Sequence, residues 1–242
     1  PLADVIADEQ LVVRLGGGLI GLVAGESAPL LARTAALRTA VAADLGVVVP
    51  QVSFRDDPAL PDRGYAILVA GDLVHEDELP AGRLLVLSTA DDAADVDGLD
   101  AADPLTGRRA LWTSHAQADT ARRRGATVLD EPACVVRGLE AAVRRRADRL
   151  LSRDATSRLV ESLRKTQPAL VEQVVPAVLS IARIQRTLQC LLQEGVPARP
   201  LAEILEIMSD HSAEAAEPRQ LAELVRRRLA GGIRRRARAP AG

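Results

Sequence analysis

LLQEGVPARPLAEILE, residues 191–206, interrupts an apolar helical pattern with one glycine and two prolines and then resumes it at once. Before the break, Ile181, Ile184, Leu188, Leu191 and Leu192 form one stripe. After it, Leu201, Ile204, Leu205 and Met208 form a second at i, i+3, i+4 and i+7. Gly195 is free to take the left-handed conformation that ends a helix, and Pro200 has the φ that suits the start of the next. The stretch therefore predicts two helices folded about a fixed elbow made by Gly195, Pro197 and Pro200, a scaffold for recognition more than for catalysis.

Outward from the elbow, the helical character reaches from Cys134 to Ile233, with breaks at Gln167-Pro168, Pro176 and Glu217-Pro218. The N-terminal part reads differently. Leu11–Leu15 predicts a strand that runs into Gly16-Gly17-Gly18. A helix is predicted from Pro29 to a stop at Gly46, with Leu30, Leu31, Ala35, Leu37, Val41 and Leu45 on its apolar face. Further strands are expected at 47–54, with a bulge at Pro50, at 65–70, at 84–88 and at 127–129, and a helix over 113–124.

Composition agrees with a helix-rich, mixed chain. Of 242 residues 48% are apolar, yet Phe, Tyr and Trp occur once each, so Leu, Val, Ile and Ala must fill the cores. The formal charge is −2, which implies no general affinity for polyanions. Charge is nevertheless uneven. Residues 88–103 hold six Asp and no base, which predicts an acidic solvated loop, and residues 219–242 hold eight Arg against Glu223. Cys134 and Cys190, each among apolar neighbours, read as buried free thiols in a reducing compartment. The chain has no run of apolar residues long enough to span a bilayer, and it opens on Pro1 without Met, which reads as a segment of a longer protein.

The chemical motifs are weak. Gly16-Gly17-Gly18-Leu19-Ile20-Gly21 matches the dinucleotide fingerprint, but that chemistry requires the last glycine to open a helix, and the predicted helix starts later. A tight backbone approach is the better reading, and a nucleotide-binding enzyme is kept as the rival. Asp95-Val96-Asp97-Gly98 lacks the first and twelfth ligands of a calcium loop. His75, His115 and His211 stand apart without ligand spacing and are expected at the surface. No metal, cofactor or catalytic constellation is expected. The arginine triplets at 122–124, 144–146, 226–228 and 234–236 have no interleaved aromatics, so they read as helix faces paired with acids, with an Arg-rich nucleic-acid module as a third reading.

Three stretches, 37–74, 103–131 and 161–210, resemble in order the cytoplasmic region of the flagellar/Hrp/invasion protein export pore family, FHIPEP. The pattern G-V-V-V-P…R-D…G-Y…G and the later L-L-x-E-x-V-P elbow carry the resemblance. It implies an α+β multi-subdomain fold, with a thioredoxin-like α/β subdomain (1–80 and 132–150), an inserted small α/β subdomain (81–131) and an all-α helical subdomain (151–230). Residues 231–242 would be a basic tail that starts a fourth subdomain.

The resemblance implies a non-enzymatic export-gate component of type III secretion, the cytoplasmic domain of a bacterial inner-membrane protein. It would form a homo-oligomeric ring, a nonamer in relatives, that docks export chaperones and substrates beside other export-apparatus and ATPase-complex proteins. The membrane would be reached only through the absent N-terminal region, and no nucleic acid is implied. Carried over residue by residue, the family's docking depression falls on Asp103, Thr106 and Arg137, with Leu85, Leu129 and Cys134 lining it. Thr106 stands where flagellar relatives have an aromatic anchor, which favours the injectisome branch. At the elbow, Pro200 replaces a capping Asp and exchanges a side-chain cap for a fixed φ.

Overall fold

Alternation sets the first strand. In β1 (Leu11–Leu15), Leu11, Val13 and Leu15 are buried, while Arg14 faces out. The computed structural model describes residues 9–24, 28–87, 96–215 and 217–238, and in it β1 is an inner strand of a four-stranded sheet ordered β2-β1-β3-β4. β2 (Ser53–Asp56) pairs with β1 in parallel. β3 (Gly64–Val69) pairs with it antiparallel, Val13 opposite Ile67, and β4 (Asp72–Glu78) closes the order antiparallel to β3. Buried Tyr65, Ala66, Ile67 and Val69 make β3 almost continuously apolar, as a strand covered on both faces must be.

The glycine run after β1 is a close approach of two backbones. A Cβ on Gly16 would lie 2.0 Å from the Pro61 carbonyl oxygen, so only glycine fits. The Gly16 amide donates to the Gly64 carbonyl at 2.9 Å and the Gly18 amide to the Asp62 carbonyl at 2.8 Å. A short 3-10 turn, Gly17–Leu22, then leads on towards α1 (Pro29–Leu45). Along α1 the inward stripe is Leu30, Thr34, Leu37, Val41 and Leu45; Leu31 and Ala35, expected inside, face out.

A second sheet, ordered β6-β7-β5-β8, is antiparallel throughout. Its strands are β5 (Leu84–Leu87), β6 (Leu99–Ala102), β7 (Arg109–Thr113) and β8 (Thr127–Leu129). α2 (His115–Arg123), capped by the Ser114 side chain, covers it: Ala118 and Ala121 pack on Leu84, Val86, Val96 and Leu111. α3 (Glu131–Arg145) follows, and the Asp130 carboxylate accepts from the Ala133 amide at 3.0 Å to cap its first turn.

Three sequence expectations change here. The run 47–54 is not one strand: Gly46 turns at φ +73, and Pro50 lacks the amide a ladder needs, so β2 begins only at Ser53. Residues 113–124 divide between the end of β7 and α2. The acidic stretch 88–103 is not all solvated loop, because it contains β6 and ends in Asp103, which is 4% exposed. Asp91, Asp92 and Asp95 lie outside the described residues.

By internal packing the chain forms two units, 1–39 with 50–145, and 40–49 with 146–242. The second is helical: α4 (Ala147–Leu150), α5 (Arg153–Thr166), α6 (Pro168–Val174), α7 (Ile181–Gln193), α8 (Leu201–Asp210) and α9 (Pro218–Arg238). α7 packs against α4, α5 and α9, and its buried Ile184, Leu188, Leu191 and Leu192 join Ile204, Leu205 and Met208 of α8 and Leu221 and Val225 of α9 in one aliphatic core. On another face of α7, Gln185, Gln189 and Gln193 recur every fourth residue. Gln185 donates to the Leu151 carbonyl, Gln189 to the carbonyls of Asp148 and Leu151, and Gln193 to the Asp148 carboxylate at 2.8 Å. This ladder satisfies the carbonyls freed where the helices break at 146–152.

The elbow has a seat. The Ala198 amide donates to the Leu45 carbonyl at 2.8 Å, and a Cβ on Gly46 would lie 2.4 Å from the Arg199 nitrogen. Gly195 is left-handed at φ +73, and Pro200 sits at the N-cap of α8. The glycine and prolines at 195–200 thus shape a loop that hydrogen-bonds back onto the end of α1.

Candidate functional site

Asp103 follows β6, and its carboxylate accepts four hydrogen bonds. Arg137, one side of α3, engages it with both arms of the guanidinium fork, Nη2 to Oδ2 at 2.7 Å. The Thr106 hydroxyl donates to the same Oδ2, and the Leu105 amide donates to Oδ1 at 3.1 Å. Burial by itself would raise the Asp103 pKa, but the Arg137 guanidinium, the Thr106 hydroxyl and the Leu105 amide outweigh it and hold the carboxyl down at about 2. The three residues assigned by resemblance therefore meet in one closed clasp. Asp103 has its acceptor sites filled from within the unit, so its part is to fix the 103–108 turn on α3.

Beside the clasp opens a cavity of about 380 Å³, lined by β3, β4, β5, β6, β7 and α3 through Tyr65, His75, Glu76, Asp77, Leu85, Asp100, Ala101, Ala102, Pro104, Trp112 and Cys134. Leu85 and Cys134 are among its lining residues. Leu129 does not; it stands opposite Leu85 in the β5–β8 ladder and belongs to the sheet. The residues missed by the sequence reading are Tyr65 and Trp112. They are the single Tyr and the single Trp of the chain, and both face this one cavity. Their rarity was the available signal, because a chain that spends almost no aromatics yet places two together has put its strongest recognition side chains in one place.

His75 is not a surface histidine. Its Nε2 lies 3.0 Å from the Tyr65 hydroxyl, with the rings 5.4 Å apart, and Gly138 of α3 makes room for both, since a Cβ there would come within 2.8 Å of the Tyr65 oxygen. Burial lowers the His75 pKa; Asp77 pulls it back up and Arg145 pushes it down, so the ring is neutral at pH 7. Burial pushes the Cys134 thiol up to about 12, with the nearby carboxylates Asp130, Asp77 and Glu131 adding to it, so it lines the cavity as an inert apolar group. Cys190, expected buried, is half-buried and faces a second cavity with Arg186, Gln189 and Arg219; its thiol is also raised, first by burial.

Two further ion pairs tie the start of α3 into the same unit. Arg33 of α1 grips Asp130 with both guanidinium arms, Nη2 to Oδ2 at 2.8 Å, and Arg63 bridges Glu131 and the Leu79 carbonyl. The arginine triplets behave as expected of helix faces: Arg122 pairs with Asp119, Arg144 with Glu140, and Arg226 and Arg227 with Glu223. The side chains of 234–236 are outside the description. No group of metal-ligating side chains converges among the described residues, and no described helix is long and apolar enough to cross a membrane.

The FHIPEP family model matches residues 1–241. The flagellar biosynthesis protein FlhA of Bacillus subtilis (strain 168) is 33% identical over 226 residues, 93% of this chain and 33% of FlhA. The chain thus spans about a third of the length of the curated relatives it matches. Among solved structures, Chlamydia pneumoniae CdsV, also solved in complex with CdsO, has a TM-score of 0.78 at 18% identity, covering 90% of this chain and 65% of CdsV. The nonameric SctV-C of EPEC has a TM-score of 0.70 at 17% identity, covering 91% of this chain and 65% of that one. At such identities these structures show a shared fold.

Proposed function

The chain belongs to the FHIPEP family, and on that premise we propose that it is the cytoplasmic part of a protein-export gate, a docking platform that assembles with its own copies into a ring and receives export chaperones and their substrates. The observation that carries the reading is the placement of the chain's single Tyr and single Trp in one cavity, beside a clasp that holds its walls in register. Buried Tyr65 backs the wall from which the half-buried Trp112 can meet a partner, and an aromatic side chain in a preformed depression anchors protein partners at small entropic cost. Asp103, Thr106 and Arg137 are the residues that shape the depression, and Leu85 and Cys134 contribute apolar lining.

The ring is supported by the nonameric state of SctV-C, which shares the fold. The relatives by sequence are flagellar biosynthesis proteins, and a neighbour by fold, EscV, belongs to a type III secretion system, so the injectisome branch is the finer form of the proposal. Two separate sheets within the α/β unit support a division into a thioredoxin-like subdomain (1–80 and 132–150), an inserted subdomain (81–131) and a helical one (151–230), with the elbow at Gly195, Pro197 and Pro200 fixing the last. The cytoplasmic placement at the inner membrane belongs to the same proposal. The nucleotide-binding rival loses its support, because the Gly16 and Gly18 amides already donate to backbone carbonyls of 62 and 64.

Sedimentation and electron microscopy of the complete cytoplasmic region at high concentration should reveal rings or arcs, and the chain should retain chaperone–substrate complexes encoded beside it. Trp112→Ala should abolish retention while far-ultraviolet circular dichroism stays unchanged. A protein that stays monomeric and ignores every such complex overturns the reading.

A further inference from the structure

Two strands that border the cavity stand at the ends of their sheets: β4 ends the first and β6 ends the second. Residues 75–77 of β4 and 100–102 of β6 line the same space. Proteins blunt such edges with Lys, Pro, bulges or covering groups, because an unpaired row of amides and carbonyls will pair with any extended chain. β4 is blunted. Its register against β3 slips between Ile67 and Leu68, and Arg145 Nη1 donates to the Val74 carbonyl at 2.9 Å.

Among the described residues, β6 carries none of these protections. Its sequence Leu-Asp-Ala-Ala has no Lys or Pro, it pairs with β7 without a slip, and Leu99 is 54% exposed. The Asp103 amide donates inward to the Arg108 carbonyl at 2.8 Å. Inward and outward groups alternate along an antiparallel strand. The amides and carbonyls of Ala102 and Asp100 therefore point away from β7, at an edge that no described strand covers.

Charge narrows the occupant. Glu76, Asp77 and Asp100 line the cavity, and no Lys or Arg is among its described lining residues. Asp100 is held by Arg109 at 2.8 Å, so Glu76 and Asp77, both exposed, are the carboxylates a visiting cation would meet. An acidic or strongly hydrophilic anionic segment would be repelled.

We propose that the cavity takes an extended, basic segment of a partner protein, which adds to β6 as a further strand, lays Lys or Arg side chains against Glu76 and Asp77, and seats an apolar side chain against Trp112, whose wall the buried Tyr65 backs. The mode is strand addition: main-chain hydrogen bonds supply affinity with little dependence on sequence, while the acids and Trp112 supply the preference. The proposal rests on the docking reading above and specifies its chemistry.

The probe is a blocked peptide of alternating Lys and Val, titrated against the full chain by Trp112 fluorescence and calorimetry. Its Glu-for-Lys counterpart and a version N-methylated at alternate backbone positions are run beside it. Binding of the Lys peptide is expected, with N-methylation weakening it about tenfold or more through loss of main-chain donors, and the Glu peptide should not bind. The double variant Glu76→Lys with Asp77→Lys, both at exposed positions, should reverse the preference between the Lys and Glu peptides. Equal binding of the N-methylated peptide, equal binding of the Glu peptide, or no binding of the Lys peptide overturns the proposal. Retention of chaperone–substrate complexes by a chain that ignores the Lys peptide removes strand addition alone; Lys-peptide binding by a chain that retains no such complex removes the docking reading and keeps the β6 edge.

Discussion

The α/β unit and the helical unit solve the same problem, holding irregular joints in place, with opposite chemistry. In the α/β unit three arginines from separate elements, Arg33, Arg63 and Arg137, clamp Asp130, Glu131 and Asp103 around α3. In the helical unit a ladder of neutral amides, Gln185, Gln189 and Gln193, binds the break at 146–152, and an aliphatic core does the rest. A charged clasp is directional and strong when desolvated but answers to pH. The bonds from Gln185 and Gln189 to backbone carbonyls answer to neither proton nor salt over the ordinary range. The difference teaches that the part of the molecule bearing the cavity lined by Tyr65 and Trp112 is the part whose shape is set by ionised groups.

Because Trp112 is the single tryptophan, its fluorescence reports the α/β unit, whereas far-ultraviolet ellipticity is weighted towards the helices, and the contrast can be tested in one sample. The largest effect is expected for Arg137→Ala, which strands a buried carboxylate: urea unfolding followed at Trp112 should lose about 3–5 kcal/mol, with the helical signal moving far less. Acid comes next. The Asp103 carboxyl titrates at about 2 in the fold and near 3.9 when unfolded, so its stabilisation is complete above about pH 4 and is lost as pH falls towards 2, worth about 2 kcal/mol. The Trp112 transition should weaken through that window in the wild type and less steeply in Asp103→Asn, where Asp130, held down by Arg33, still titrates.

Gln189→Ala should cost the helical unit about 1–2 kcal/mol by removing donors from two buried carbonyls, and that loss should be the same at pH 4 and pH 7. An acid-dependent loss would break the contrast. The smallest effect is expected for Arg226→Ala, whose partners are the half-buried Glu223 and the exposed Glu194 at the surface: neither midpoint should move measurably at physiological salt.

Much of this was legible beforehand where local rules suffice. β1 and β3 followed from alternating and continuous apolar runs, and the elbow followed from Gly195 and Pro200. The strands that escaped notice, β4, β6 and β7, carry His75-Glu76-Asp77, Asp100 and Arg109, polar residues tolerated because each strand is an edge or has an open face, so pattern alone reads them as loop. The clasp was half legible. Asp103, Thr106 and Arg137 were named by resemblance, yet nothing local says that Arg137, on a helix 34 residues away, reaches back to fill the Asp103 carboxylate. Tyr65 and Trp112 lay in plain view as the rarest residues, and only the tertiary fold brings them to one cavity.

The central claim is that visiting proteins dock at the cavity that Tyr65 and Trp112 share. The most direct measurement is Trp112 emission of the complete cytoplasmic region titrated with a chaperone–substrate complex that it retains. The account predicts a saturable spectral shift with the same midpoint as binding measured by calorimetry. Tight binding that leaves Trp112 emission unaltered, and that survives Trp112→Ala at full strength, would contradict it.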